Sequence, residues 1–113
     1  MDAAAVMNAT QQVLKNARDV IESGWCRGAY AKNKYGDSCD PQAGAAVEFC
    51  MDGALQRVFD AAEYEAHHKA VILVVDTLRS RFGSGVITQF NDKIAKNKDD
   101  VLKLFDNAIA AAA

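Results

Sequence analysis

Helical periodicity runs through most of this chain and fails at one place, between Trp25 and Ala45. That interruption constrains the fold more than any other feature. On both sides of it apolar residues recur at the three- and four-residue spacing of amphipathic helices. Inside it the spacing is lost and turn-forming residues accumulate. The expected architecture is therefore mainly α: a single compact bundle of about five helices, with a short β-hairpin or ordered loop after the first. At 113 residues the chain suits one domain, spanning 1–113.

The first helix is read from about Asn8 to Ser23, with Val13, Leu14, Ala17, Val20 and Ile21 on one face. Gly24 stands where a left-handed C-cap residue belongs. In the interruption, Ala29 to Asn33 could be a short strand and Tyr35-Gly36-Asp37 is turn chemistry; a hairpin and an irregular loop both remain open. Asp40-Pro41 looks like a helix start, with Asp as cap and Pro in the first turn. The second helix is expected over Val47 to about Ala62. Gly53 inside it costs about 1 kcal/mol against Ala, so another backbone or a ring should pack there, with Trp25 the candidate. The third helix, Glu65 to Phe82, carries the stripe Ala66, Ala70, Leu73, Val74 and Leu78, widened by Val71, Val75 and Phe82, and is expected to be central. Its length and flanks favour helix over a Val71–Val75 strand. Gly83-Ser84-Gly85 stops it. A short fourth helix covers Val86 to about Asp92. A fifth runs from Asn97 to about Ala112, with Asn97 and Asp100 resembling a capping box and Ala110 to Ala113 a fraying end.

Charge and cysteine content bound the partners. The formal net charge is −2, and Arg27, Lys32 and Lys34 form only a small local cluster, so no counterion-displacing nucleic-acid surface is expected. The longest apolar run, Ala70 to Val75, is far too short to span a bilayer. Met1 to Val6 carries an acid and no basic leader, so no secretory signal is read. Three cysteines at irregular spacing then point to free thiols and the cytoplasm.

Four clusters sit at or between the helices: Trp25-Cys26-Arg27-Gly28-Ala29-Tyr30-Ala31, Cys50-Met51-Asp52-Gly53-Ala54-Leu55, Phe90-Asn91-Asp92 and Val101-Leu102-Lys103-Leu104. In that order they resemble the motifs of an uncharacterised bacterial and phage family, a domain of unknown function, over about Val13 to Ile109. The sequence departs from that pattern in having Phe90 where Trp is more frequent. The resemblance implies a small, mainly helical domain. It carries no known activity, so no catalytic role transfers.

Each cluster admits a functional and a structural reading. Cys26 or Cys50 with His67 or His68 could make a nucleophile and base, given a depressed thiol pKa; a buried Cys acting as a small hydrophobe is the commoner case. The thiols and histidines lack the Cys-x-x-Cys or His-x₃-His spacing of a zinc site. Adjacent His67 and His68 diverge by about 100° on a helix, so no metal site is assigned. Asn91, Asp92 and Asp52 could bind a nucleobase edge or an amine, or tie down the Trp25 loop; local Asx bonds favour the latter. Trp25, Tyr30, Tyr35 and Phe90 could stack on a planar ligand or partner, while Trp25 and Phe90 could equally plug the bundle. The contact surface, if there is one, is Tyr30 and Tyr35 with Arg27 and Lys34.

The function expected from these features is a small non-enzymatic binding or interaction module for a protein or small polar ligand. The candidate contact residues are Trp25, Cys26, Arg27, Tyr30, Tyr35, Asp52, Phe90, Asn91 and Asp92. No cofactor is read. A phage-type accessory protein that sequesters a host defence protein or nucleotide signal is a second reading, and a cysteine-dependent enzyme a third. A homo-oligomer is compatible with the broad apolar face of the third helix.

Overall fold

Asn8 starts the first helix, α1 (Ala9–Ser23), by accepting a hydrogen bond from the Gln11 amide. The Gln11 side chain returns one to the Asn8 amide, completing a capping box. Val13, Leu14, Ala17 and Ile21 are buried along its inner face, as the periodicity predicts. This is a computed structural model, and it describes residues 6–113. Residues 1–5, on which the reading of a missing secretory leader falls, lie outside the described residues.

After α1 come strands β1 (Ala31–Lys32) and β2 (Glu48–Phe49), then helices α2 (Met51–Arg57), α3 (Tyr64–Phe82), α4 (Ile87–Gln89) and α5 (Lys98–Ala111). A 3₁₀ turn, Ala61–Glu63, leads into α3, and a π-helical turn, Phe90–Ile94, continues α4. The protein is mainly α, with one short antiparallel strand pair. Among the described residues no helix is long and apolar enough to cross a membrane.

The strand pairing differs from a simple hairpin around Tyr35. Gly36 does hold the turn, at φ 82°, and Lys32 bridges Ser38 across it. The ladder partner of β1, however, is β2, in the register Ala31↔Phe49 and Lys32↔Glu48. Phe49 is flanked on its other side by Trp25, in parallel. The amide of Phe49 donates to Gly24 O at 3.0 Å and its carbonyl accepts from Cys26 N at 3.1 Å. So Phe49 stands between two chain segments, paired with β1 on one side and joined by a single bridge to Trp25 on the other.

This sheet overrides several sequence expectations. Gly24 is extended (φ 177°) rather than left-handed. Its role is close approach: a Cβ there would lie 2.2 Å from the Val47 carbonyl oxygen. Asp40-Pro41 begins no helix; Asp40 makes a turn, accepting from Gln42 N at 2.8 Å through its side chain and from Ala43 N at 2.9 Å through its carbonyl. The second helix starts at Met51 because Val47 N donates to Lys32 O at 2.9 Å and Glu48–Phe49 pair with β1. It ends at Arg57, short of the expected Ala62, leaving Phe59 40% exposed and Val47 45% exposed outside the helix.

The bundle closes around α1, which packs against α2, α3 and α5. The expectation that α3 is central is corrected, since α1 holds that place: α3 buries Ala66, Ala70, Val74 and Leu78, leaves Val71, Leu73 and Val75 partly buried beside them, and exposes Ile72 and Phe82. It does run as helix through Val71–Val75 and stops at left-handed Gly83, φ 78°. From α5, Val101, Leu102, Leu104, Phe105 and Ala108 fill the core. Asn97 caps α5 through the Asp100 amide at 3.0 Å, but the Asp100 carboxylate reaches back to Lys96 N at 2.8 Å, so the capping box is displaced by one residue. The last turn of α5 is tied rather than frayed: Asn8 Nδ2 donates to Ala112 O at 2.7 Å and Gln11 Nε2 to Ile109 O at 3.1 Å. Ile109 O also accepts from Ala112 N at 3.2 Å, in the tightened last turn that commonly ends a helix.

Candidate functional site

Asn91 is the one buried polar residue among the described residues, and its side chain is 0% exposed. An amide offers two donor hydrogens and an acceptor oxygen with two lone pairs. All four are used. Its Oδ1 accepts from the Trp25 indole N–H at 2.7 Å and from the Met51 backbone N–H at 3.0 Å. Its Nδ2 donates to Cys26 O at 3.0 Å and to Asp92 Oδ1 at 2.8 Å. Three of the four sequence clusters therefore meet at one side chain.

The local backbone explains how this becomes possible. Asn91 lies in the π-helical turn, where the Ala95 amide bonds to Phe90 O at 2.8 Å. The extra residue in that turn shifts Asn91 and Asp92 relative to an α-helical register; such turns recur where side chains need re-aiming. Phe90 points into the core, 3% exposed, with its ring 5.1 Å from that of Phe82. Met51 N is at the exposed-donor end of α2, where the first amides lack helical partners.

Around Asn91 a second set of contacts fixes the loop after α1. Asp92 Oδ1 also accepts from Gly28 N at 3.2 Å. Arg27 places its guanidinium 4.9 Å from the Trp25 ring centroid and donates through Nη2 to Ala95 O. Cys50 caps α2, its sulfur accepting from Gly53 N at 3.3 Å. Its own amide donates to Tyr30 O at 3.1 Å. Gly53 is demanded by that crossing: a Cβ on it would lie 1.8 Å from the Tyr30 carbonyl oxygen. The expected close neighbour of Gly53 is thus a backbone, that of Tyr30, and not the Trp25 ring.

The thiols are turned away from nucleophilic chemistry. Burial, with a smaller push from nearby Cys50, raises the Cys26 thiol to about 11. Burial likewise raises Cys50, against the lowering effect of the Gly53 and Asp52 amides. A reactive cysteine needs the opposite direction. Neither histidine serves them: His67 Nε2 hydrogen-bonds Leu55 O at 2.8 Å, and the His68 ring stacks on Tyr64. Among the described residues no three His, Cys, Asp or Glu side chains gather as a metal-ligand set.

Beside the anchor lies a cleft of about 410 Å³, lined by Gly28, Ala29, Tyr30, Ser38, Cys50, Thr88 and Asp92. It brings together part of the expected contact set. Tyr30 is 50% exposed, and Asp92 uses one carboxylate oxygen in the anchor, leaving Oδ2 without a hydrogen bond to any described residue. Trp25, Arg27 and Asn91 belong to the support beneath it. Phe90 is in the core, and Asp52 sits half-buried in the first turn of α2, where a negative charge complements the helix dipole. Tyr35 stands apart on its turn, 76% exposed, with Lys34 Nζ 5.1 Å from its ring centroid. Sequence reasoning missed Ser38 and Thr88. Thr88 had a signal, since it stands four residues before Asp92 on a helical segment; Ser38 had none. A larger depression of about 830 Å³ lies at the other end of α1, among helix termini, and contains none of the motif residues.

No curated protein and no solved structure matches the chain. One family model does, over residues 6–111, which take in every helix and both strands described above. On that match the chain belongs to DUF6197, a family of unknown function.

Proposed function

We propose that this protein is a small binding module without catalytic chemistry of its own, and that the cleft at Asp92 is its contact surface. The observation that carries the reading is the division of labour at Asp92. One carboxylate oxygen is spent on the Asn91 anchor and the Gly28 amide, while the other bonds to no described residue, and Asp92 lines a cleft together with Ser38, Thr88 and Tyr30. A free carboxylate oxygen accepts only, so the matching group on a ligand is a donor. An amine, amide or guanidinium fits, on a small polar molecule or on a partner's side chain. The four-bonded Asn91 beneath holds the cleft walls in one arrangement before a ligand arrives, which lowers the ordering cost of binding. The raised Cys26 and Cys50 thiols argue against a cysteine-dependent enzyme.

Native mass spectrometry of gently purified protein, alongside a Thr88→Arg variant, tests this. Thr88 is only half-buried, so a long side chain there can block the cleft while the fold is retained. A bound mass that disappears in the folded variant supports the reading. A bound mass that persists unchanged places the contact surface elsewhere and refutes it.

A further inference from the structure

A second depression, separate from the Asp92 cleft, lies where the end of α3, the π-helical turn and the start of α5 meet. It holds about 280 Å³, at the small end of ligand pockets. Its floor is apolar, formed by Phe82, Phe90, Ile94 and Leu104. Phe82 is 45% exposed there, an aromatic ring left open to solvent beside one that is buried. Its rim carries three cations, Arg81, Lys96 and Lys103. None of the three forms an ion pair with another described residue. The lone acid at the rim, Asp100, has one carboxylate oxygen committed to the Lys96 backbone amide at 2.8 Å. The slot is thus net positive in a chain whose net charge is −2.

We propose that this slot binds a small amphipathic anion: a carboxylate head held by the Arg81, Lys96 and Lys103 rim, with a short aliphatic or aromatic body laid on Phe82. The two halves of the site specify the two halves of the ligand. An apolar floor under an exposed ring gains by covering hydrocarbon, and unpaired cations around it select a negative head over a neutral one. Arg supplies a planar fork that matches a carboxylate, and the two lysines add adjustable point charges. The slot is too small for a long lipid chain to enter in full. The inference is independent of the Asp92 cleft, and either can fail alone.

Octanoate is the probe, followed by amide chemical-shift changes in the intact chain, with acetate and 1-octanol as half-ligand controls. The expected result is saturable octanoate binding, with shifts centred on Phe82, Lys96 and Leu104 and none at Gly28 or Tyr30. Acetate and 1-octanol should each bind at least tenfold more weakly. Lys103→Glu and Lys96→Glu, both at exposed positions, should each weaken octanoate about fivefold or more, the scale of an exposed charge pair. Phe82→Ser should weaken octanoate and 1-octanol together. The proposal is overturned if octanoate gives no saturable shift at millimolar concentration. It is equally overturned if 1-octanol binds as well as octanoate, if both charge reversals leave the affinity unchanged, or if the shifts map to another face.

Discussion

Replacing Asn91 by Ala should be among the most damaging single substitutions available in this protein. The side chain makes four hydrogen bonds, and truncation orphans their partners together. Two of the partners, the Met51 amide and the Cys26 carbonyl, belong to buried residues. An orphaned buried polar group costs about 1–3 kcal/mol, so these two alone cost about 2–6 kcal/mol. Losing the Trp25 indole bond adds about 1 kcal/mol more. A central expectation of about 5 kcal/mol is a large part of the roughly 5–15 kcal/mol that holds a domain folded. At about 2.1 cal/mol/K of unfolding entropy per residue, it corresponds to a fall in Tm of about 20 °C. Far-ultraviolet circular dichroism is the suitable signal, because the single tryptophan is itself part of the cluster. Trp25→Phe removes one of the four bonds and should cost far less, about 1 kcal/mol from that bond. If Asn91→Ala costs no more than Trp25→Phe, the argument that Asn91 joins the three segments is wrong.

Gly53→Ala should destabilise the protein even though Ala favours helix by about 1 kcal/mol, because its Cβ would lie 1.8 Å from Tyr30 O; an unchanged or higher urea midpoint would contradict this. In alkylation at neutral pH mapped by mass spectrometry, half-exposed Cys39 should label first. Buried Cys26 and Cys50 should label no faster than a free model thiol, and faster labelling of either would revive the nucleophile reading. Stability should fall as pH rises from about 8.5, the ordinary thiol value, towards the Cys26 value of about 11. In that window the unfolded chain releases the thiol proton before the folded chain does, so Cys26→Ala should flatten the decline in urea midpoint, and an identical slope would count against it. Asn8→Ala removes both a helix cap and the bond to Ala112 O; it should cost about 1 kcal/mol and speed amide exchange in the last turn of α5, and unchanged exchange there would refute the coupling of the two ends.

What the sequence made legible follows from the range of the interaction involved. α1, α3 and α5 were readable because their buried residues repeat at helical spacing within one segment. The arrest at Gly83 and the cap at Asn97 were readable for the same reason. Gly53 announced a close approach, since a glycine in a helix interior needs a cause, but nothing local named Tyr30 as the neighbour. Phe49 was the least legible residue. It lies inside the span expected to be helix, and only its pairing with Ala31 on one side and Trp25 on the other makes it a strand. That partnership also displaced the start of α2 and turned Gly24 from a cap into a contact. For the site, the residue types in the Phe90-Asn91-Asp92 cluster were informative. The separation of their roles was not, because Asn91 and Asp92 are neighbours in sequence and differ only in which groups distant segments bring to them. The π-helical turn that sets them has no composition signature.

The bonds from Asn8 and Gln11 to the last carbonyls of α5 place the start of α1 side by side with the end of α5. A polypeptide with adjoining extremities can be cut and rejoined. A short Gly/Ser connector between the end of α5 and Asn8 would leave every helix contact in place. New ends could then be opened at the exposed Tyr35–Gly36 turn, at the cost of the turn bond from Gly36 N to Asn33 O. The same geometry lets the domain be spliced into a surface loop of a carrier protein without prising the carrier's loop apart. A carrier displaying residues 8–112 would present the Asp92 cleft and the basic slot to candidate ligands.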